Sequence, residues 1–195
     1  MSNAFVLGNG VSRLELSVNW LTDHGEIYGC NAIYREFAPT VLVAVDKPIS
    51  EEIQRTDYAL SNRMYTRRPL LGLGAQRIPH PYYGYSSGPV AAALAAIDNH
   101  THVFLIGFDM GPSAEQKFNN VYANTQFYKK SSAPPTFTGN WTRQIVQVTK
   151  DFPECKFYRI FGKTTALVPE FQNIKNLESM PIEEFQNLLN NKKDF

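Results

Sequence analysis

The strongest constraint on this chain is a series of short apolar runs, each stopping at a small or polar residue. Ala4-Phe5-Val6-Leu7 stops at Gly8, and Ile27-Tyr28-Gly29-Cys30 stops at Asn31. Val41-Leu42-Val43-Ala44-Val45 stops at Asp46, and Val103-Phe104-Leu105-Ile106 at Gly107-Phe108-Asp109. A fifth run, Phe157-Tyr158-Arg159-Ile160, stops at Phe161-Gly162. Runs that are apolar at every position suit strands covered on both faces, which is the condition inside a parallel sheet.

Helical signals fall between these runs. Ser50 is a good N-cap for a helix over 51–60, with Glu51 and Glu52 in its first turn. Ser86-Ser87-Gly88 opens an Ala-rich helix over 89–97, whose small side chains suit close packing on a sheet. Asn140 is placed to cap a helix over 141–150 with Trp141, Ile145 and Val148 on one face, and a last helix begins near Pro181. Strand–helix alternation of this kind predicts one doubly wound, mostly parallel α/β sheet of five to six strands with helices on both faces, a Rossmann-like arrangement. The stretches 63–85 and 111–140 break the alternation and are long for plain connections, which marks them as functional or mobile.

Composition narrows the function classes. The 195 residues, 43% hydrophobic and 19% charged, fit one soluble globular unit. A formal net charge of +1 argues against a general nucleic-acid binder, so no nucleic-acid partner is expected. The two cysteines, Cys30 and Cys155, sit in strand-like runs and read as reduced core thiols, with no metal-ligand spacing around either. No apolar run approaches the roughly 20 residues of a membrane span, and Phe5-Val6-Leu7 follows the first residues without a secretory signal, so the expected location is cytoplasmic.

In an open α/β sheet, ligands bind beyond the carboxyl ends of the strands. Four such ends here carry Gly8-Asn9-Gly10, Asn31, Asp46 and Gly107-Phe108-Asp109. Two glycines in Gly8-Asn9-Gly10-Val11-Ser12 let a backbone turn sharply, and its N–H groups with the Ser12 hydroxyl are candidate donors to an anion. The dinucleotide fingerprint is not met, because Arg13 stands where its third Gly would fall and the second strand ends in Asn31 instead of an acid. Ser86-Ser87-Gly88 is a second anion candidate at a helix start. Among the histidines, His80 is the candidate proton carrier, while His24, His100 and His102 read as structural. Asp46 and Asp109 are candidate acids or bases. Arg67-Arg68 and Lys129-Lys130 are charge pairs able to face phosphates or only solvent.

These motifs, taken in order, resemble the bacterial sialyltransferases of glycosyltransferase family 42 and the wider sialyltransferase-like superfamily, including small phage-encoded members. The resemblance rests on Val6 to Ser12, Tyr28-Gly29-Cys30-Asn31 with Tyr34 behind, Ser86-Ser87-Gly88, and Phe104-Leu105-Ile106-Gly107-Phe108-Asp109, over about the first 110 residues. The chain is expected to form a nucleotide-binding unit over 1–165 with a helical extension over 166–195 packed on it. It implies that Asn9, Ser12, Asn31 and Ser87-Gly88 contact a cytidine nucleotide, with Gly8, Gly10, Ser86 and Gly107 completing the site. It implies a sugar nucleotide of CMP type as donor, no metal, and a small-molecule ligand as partner, with self-association left open. The chain departs from the family at Val11, where Pro is usual, and more deeply before Trp141, where the family's general-base His would fall and 134–140 holds none. The family's tyrosines after the fourth strand have no direct counterpart in Met110-Gly111-Pro112-Ser113; Tyr122 and Tyr128 serve only if the loop folds back.

Three readings follow. One is a metal-independent glycosyltransferase with His80, Asp46 or Asp109 as base. Another is a diphosphokinase-like enzyme using Mg²⁺ on Asp46 and Asp109. The third is a non-catalytic protein that kept the fold and offers the aromatics Tyr122, Phe127, Tyr128, Phe137 and Trp141 as a partner surface.

Overall fold

A computed structural model describes residues 2–191. From β1 (Asn3–Leu7) the chain passes through a 3-10 turn at Val11–Glu15 and α1 (Val18–Thr22) into β2 (Glu26–Cys30). Another 3-10 turn at Asn31–Arg35 leads to β3 (Val41–Val43), followed by α2 (Lys47–Arg55), α3 (Tyr58–Ser61), β4 (Met64–Thr66) and β5 (Gln76–Arg77). Next come α4 (Ser87–Ile97) and β6 (His102–Ile106), then a long loop, α5 (Gly139–Asp151), β7 (Lys156–Phe161), β8 (Leu177–Pro181) and α6 (Ile182–Asn190). The strands form one sheet in the order β5-β4-β3-β2-β1-β6-β7-β8. All seven neighbouring pairs are parallel. The doubly wound α/β class is therefore the observed one, with eight strands where five or six are expected.

Each strand of the centre feeds two cores, because successive side chains point to opposite faces. Ala4 and Val6 of β1 join the core under α4 and α5, with Val90, Leu94, Ile145 and Val148. Phe5 and Leu7 join the opposite core, with Leu21, Ile49, Ile53 and Phe185 from α1, α2 and α6. α4 lies across β1, β2, β3 and β6. Its buried run Ala91-Ala92-Ala93 keeps side chains small enough for that close crossing. Residues 166–191 supply an edge strand as well as the expected helix. β8 pairs with β7, and Phe185 of α6 packs edge-on against Phe5 and Trp20.

Strands β4, β5 and β8 carry little apolar signal. Met-Tyr-Thr and Gln-Arg are too short for a pattern, and Leu-Glu-Ser-Met-Pro is an edge with exposed Glu178, Ser179 and Pro181. α2 starts four residues earlier than expected, directly after β3, with Pro48 in its first turn and Asp46 at the N-cap position. Ser50 is therefore interior to the helix; its buried Oγ lies 2.6 Å from Thr66 Oγ1. Asn140 does not cap α5, whose N-cap is Thr138; its Oδ1 accepts from Arg143 instead. His100 is structural and buried, held between Ser2 Oγ, Glu26 and Tyr28 OH at the far end of the strands. Both cysteines are buried and free. Among the described residues no helix is long and apolar enough to cross a membrane.

Candidate functional site

The chain leaves β1 toward β2 on one side and returns to β6 on the other, so the crevice above the carboxyl ends of β1 and β6 is the topological switch point. A cavity of about 340 Å³ sits there. It is lined by Gly8, Asn9 and Gly10 after β1, Asn31 after β2, Asp46 after β3, Ser86, Ser87 and Gly88 at the start of α4, and Gly107 to Asp109 after β6. Five segments far apart in sequence are thus brought to one concave surface. Its size falls within the roughly 300–1,000 Å³ of small-molecule sites. Two predicted residues are not in the lining. Ser12 lies behind the loop, and His80 stands exposed in the turn before the 3-10 segment at Tyr82–Gly84.

The loop after β1 is packed backbone against backbone on the loop after β6. Gly8 N–H donates to Ile106 O at 2.8 Å and Gly10 N–H to Gly107 O at 2.9 Å. A Cβ on Gly10 would lie 2.5 Å from the Asp109 carboxylate and 2.6 Å from Gly107 O, so glycine is required by contact. Gly107 itself adopts φ +72°, which glycine tolerates without strain. The next two amides are also engaged: Val11 N–H donates to Asn119 Oδ1 at 2.9 Å and Ser12 N–H to Asp109 Oδ2 at 3.2 Å. The expected cradle of N–H donors therefore reduces to one. Among the described residues, only the Asn9 N–H of residues 8–12 has no such partner, and the Asn9 side chain carries a buried Oδ1 without a donor.

Asp109 is the hub of this packing. Its carboxylate accepts from Ser12 N and Ser12 Oγ, Asn119 Nδ2 at 3.0 Å, Thr164 Oγ1 at 2.7 Å and Thr165 Oγ1 at 3.3 Å. With 3% of its surface exposed and five donors on two oxygens, it has little capacity left for a substrate proton or a cation. The Ser12 hydroxyl, expected to face an anion, donates to Asp109 instead. Beneath them Arg159 of β7, 1% exposed, donates to Phe108 O, Ala166 O and Asp109 O at 2.8–2.9 Å. Burial pulls its guanidinium down to about 10, and the nearby Asp109 charge opposes the shift. Arg159 was absent from the sequence candidates, yet a lone charge inside Phe157-Tyr158-Arg159-Ile160 is a readable signal for a buried polar anchor.

The opposite wall is built differently. Asn31, in the left-handed region at φ 54°, accepts from Ser87 Oγ at 3.0 Å, while Ser87 Oγ accepts from Val45 N–H at 3.1 Å. One hydroxyl thus ties the ends of β2 and β3 to the start of α4. Ser86 occupies the N-cap position without a side-chain cap bond, and its N–H donates to Gln144 of α5. The first turn of α4 leaves the N–H groups of Ser87 and Gly88 without an intrahelical partner; Pro89 has none, and Val90 N–H returns to Ser86 O. Asp46 is exposed and its carboxylate accepts no hydrogen bond and joins no ion pair among the described residues. Arg67 donates to the carbonyls of Tyr83, Gly84 and Tyr85, so its charge is held at the rim but not neutralised. Trp141 closes the cavity from the first turn of α5.

The long loop after β6 does fold back over the site. Val121 N–H donates to Asn9 O at 2.8 Å, and Asn119 Nδ2 reaches Asp109, Gly111 O and Pro112 O. Its tyrosines nonetheless fasten the loop and do not line the cavity. Tyr122 OH donates to Glu36 and accepts from the buried Arg13, and Tyr128 OH accepts from Ala32 N–H. Burial raises both phenols, Tyr128 to about 12. Of the aromatics offered as a partner surface, Phe127 and Phe137 alone are exposed, while Tyr122 is buried and Tyr128 and Trp141 half-buried. Lys129 lies over the Phe118 ring, away from the cavity lining. Among the described residues no group of three His, Cys, Asp or Glu side chains is placed to hold a metal. No protein-family model matches the chain, and no curated protein matches it.

Proposed function

We propose that the cleft at the switch point binds a nucleotide, and that the protein is a metal-independent glycosyltransferase-like enzyme of the sialyltransferase-like superfamily using a CMP-type sugar nucleotide. The observation that carries the reading is the convergence of Gly8–Gly10, Asn31, Ser86–Gly88 and Gly107–Asp109 on one cavity beside open amides at a helix start. The phosphate is held by Ser87 N–H and Gly88 N–H, assisted by the α4 dipole and Asn9 N–H. The glycine loop supplies shape more than donors. Phe108, Met110 and Trp141 offer apolar surface for a base or sugar ring, and Asn9, Asn31 and Asn120 flank it with amide groups.

Transfer requires the leaving nucleotide phosphate to be stabilised and an acceptor hydroxyl to lose its proton. The start of α4 meets the first need. Asp46 is the group suited to the second, since its carboxylate alone among the acids of the lining is unbonded. His80 stands outside the cavity and Asp109 is saturated. The same saturation is why the proposal places no Mg²⁺ on Asp46 and Asp109, the pair that the diphosphokinase-like reading would use. Isothermal titration with CMP, CDP, UDP and GDP tests the proposal. Saturable binding of a cytidine nucleotide that weakens when Gly88 is replaced by Val supports it; absence of binding to all four overturns it.

A further inference from the structure

A second hollow of about 130 Å³ adjoins the cleft and shares three of its walls, Val45, Asp46 and Arg67. Its remaining walls are Lys47, Ser50, Glu51, Thr66 and Arg68. Three cations therefore face two carboxylates. One carboxylate, Glu51, is matched to Lys47 at 3.9 Å, and the other, Asp46, stands at the junction with the main cleft. Arg67 keeps its positive charge, because its three acceptors are neutral carbonyls, and Nη1 bonds to none of them. Arg68 forms no ion pair among the described residues. The floor is the buried hydroxyl pair Ser50 and Thr66.

The wall that carries the two arginines is rigidly built. Gln54, fully buried, donates to Arg68 O at 3.3 Å and Ser50 Oγ at 3.2 Å, and accepts from Leu70 N–H at 2.7 Å. An amide buried to that degree and clamped on the turn at 68–70 fixes where the Arg67 and Arg68 backbones stand. α2 also starts at this corner, so its dipole adds to the positive potential.

We infer that this side compartment is an anion subsite, which takes a phosphate or carboxylate group while the main cleft takes the nucleoside and its first phosphate. Its volume of about 130 Å³ is ample for one such group. Asp46, at the boundary, then faces both halves of whatever the two compartments hold together. The identity of the other half rests on the nucleotide reading above; the subsite itself rests on its own walls. The anionic group belongs either to the nucleotide, as a second phosphate, or to a separate reactant.

The test is amide chemical-shift titration of the full chain, first with inorganic phosphate, then with CMP and CDP. Phosphate is expected to shift the amides of Ser50, Thr66 and Arg68 saturably, and Arg68→Ala, an exposed position with no partner to lose, to weaken that response about tenfold. If the group is part of the nucleotide, CDP moves these amides and CMP moves only those of Asn9, Ser87 and Gly88. If it belongs to a second reactant, phosphate still titrates Ser50, Thr66 and Arg68 in the CMP-saturated protein. Either pattern supports the subsite. Phosphate response at these amides without any CMP response at Asn9, Ser87 and Gly88 overturns the nucleotide reading and leaves the subsite standing. Silence of Ser50, Thr66 and Arg68 toward both phosphate and CDP, or an Arg68→Ala response equal to wild type, overturns the subsite.

Discussion

The two walls of the cleft use similar residues in opposite ways. Gly8-Asn9-Gly10-Val11-Ser12 and Ser86-Ser87-Gly88 are both glycine–serine segments after apolar strands or before helices, and each wall adds an aspartate. On the β1–β6 wall the loop amides, the Ser12 hydroxyl and the Asp109 carboxylate bond to one another. On the β2–β3 wall the α4 amides and the Asp46 carboxylate stay open to the cavity. A polar group that has found its partner within the protein gives shape, and one that has not is available to a ligand. On the proposed function, the first wall positions and the second binds.

The largest expected effect breaks that comparison outright. Asp109→Ala removes the acceptor for five donors and leaves Arg159 buried beside no charge. The expected loss is about 3–5 kcal/mol in urea unfolding, with Asp46→Ala costing less than about 0.5 kcal/mol. Equal losses at the two aspartates would erase the difference between the walls. Arg159→Met should follow, losing about 3 kcal/mol because the buried carbonyls of Phe108 and Ala166 lose their donor, while Asp109 O keeps Ala166 N–H. Arg159→Lys should recover only part of this, since an ammonium cannot span the fork of acceptors.

Ser87→Ala probes the binding wall and should cost about 1–2 kcal/mol, the price of an unbonded Val45 N–H and Asn31 Oδ1. The variant keeps the α4 amides, so it separates the helix start as an anion site from the serine as a stitch. Retained CMP affinity with lowered thermal stability is the expected result, and lost affinity at unchanged stability would assign the hydroxyl to the ligand.

Much of this contrast lay beyond the reach of sequence. The strand ends at Gly8, Asn31, Asp46 and Gly107 were legible, because apolar runs followed by small polar residues report both the parallel sheet and the edge on which the cavity lies. So was the Ala-rich α4. The short strands β4 and β5 were not, since three and two residues carry no periodicity, and β8 is a polar edge. The partner of Asp109 was illegible for another reason. Asn119, Thr164 and Thr165 reach it only because a loop of more than thirty residues and the turn after β7 converge on it, and nothing local in those residues announces the contact. Sequence pattern identifies which polar residues stand at a strand end; only tertiary contacts decide whether they are satisfied.

The loop that covers the site gives a smaller, pH-dependent effect. Burial pushes the Tyr128 phenol up to about 12, against the Ala32 N–H that favours its ionised form. A phenol harder to ionise in the folded than in the unfolded state contributes stability that is whole below pH about 10 and is lost as the pH rises toward 12. Tyr58, also raised to about 12 by burial, adds in the same window. Unfolding free energies measured from pH 9 to 12 should therefore decline, and Tyr128→Phe should flatten the decline while lowering stability slightly at pH 7. A slope unchanged by the substitution would remove Tyr128 from the account.

The smallest effect on the fold is expected at Asp46, and it is the sharpest test of the comparison. An exposed carboxylate without hydrogen bond or ion pair contributes nothing that Asn cannot replace in the folded state. Asp46→Asn should therefore unfold within about 0.5 kcal/mol of wild type and bind CMP with similar affinity, because the α4 amides are untouched. As the proposed base, however, it should lower turnover of a sugar-nucleotide donor by about 10²–10⁴-fold without a matching change in KM. Unchanged turnover would move the proton to another group, and a loss of stability like that of Asp109→Ala would make Asp46 one more positioning residue. The open wall would then differ from the closed one only in geometry and not in chemistry.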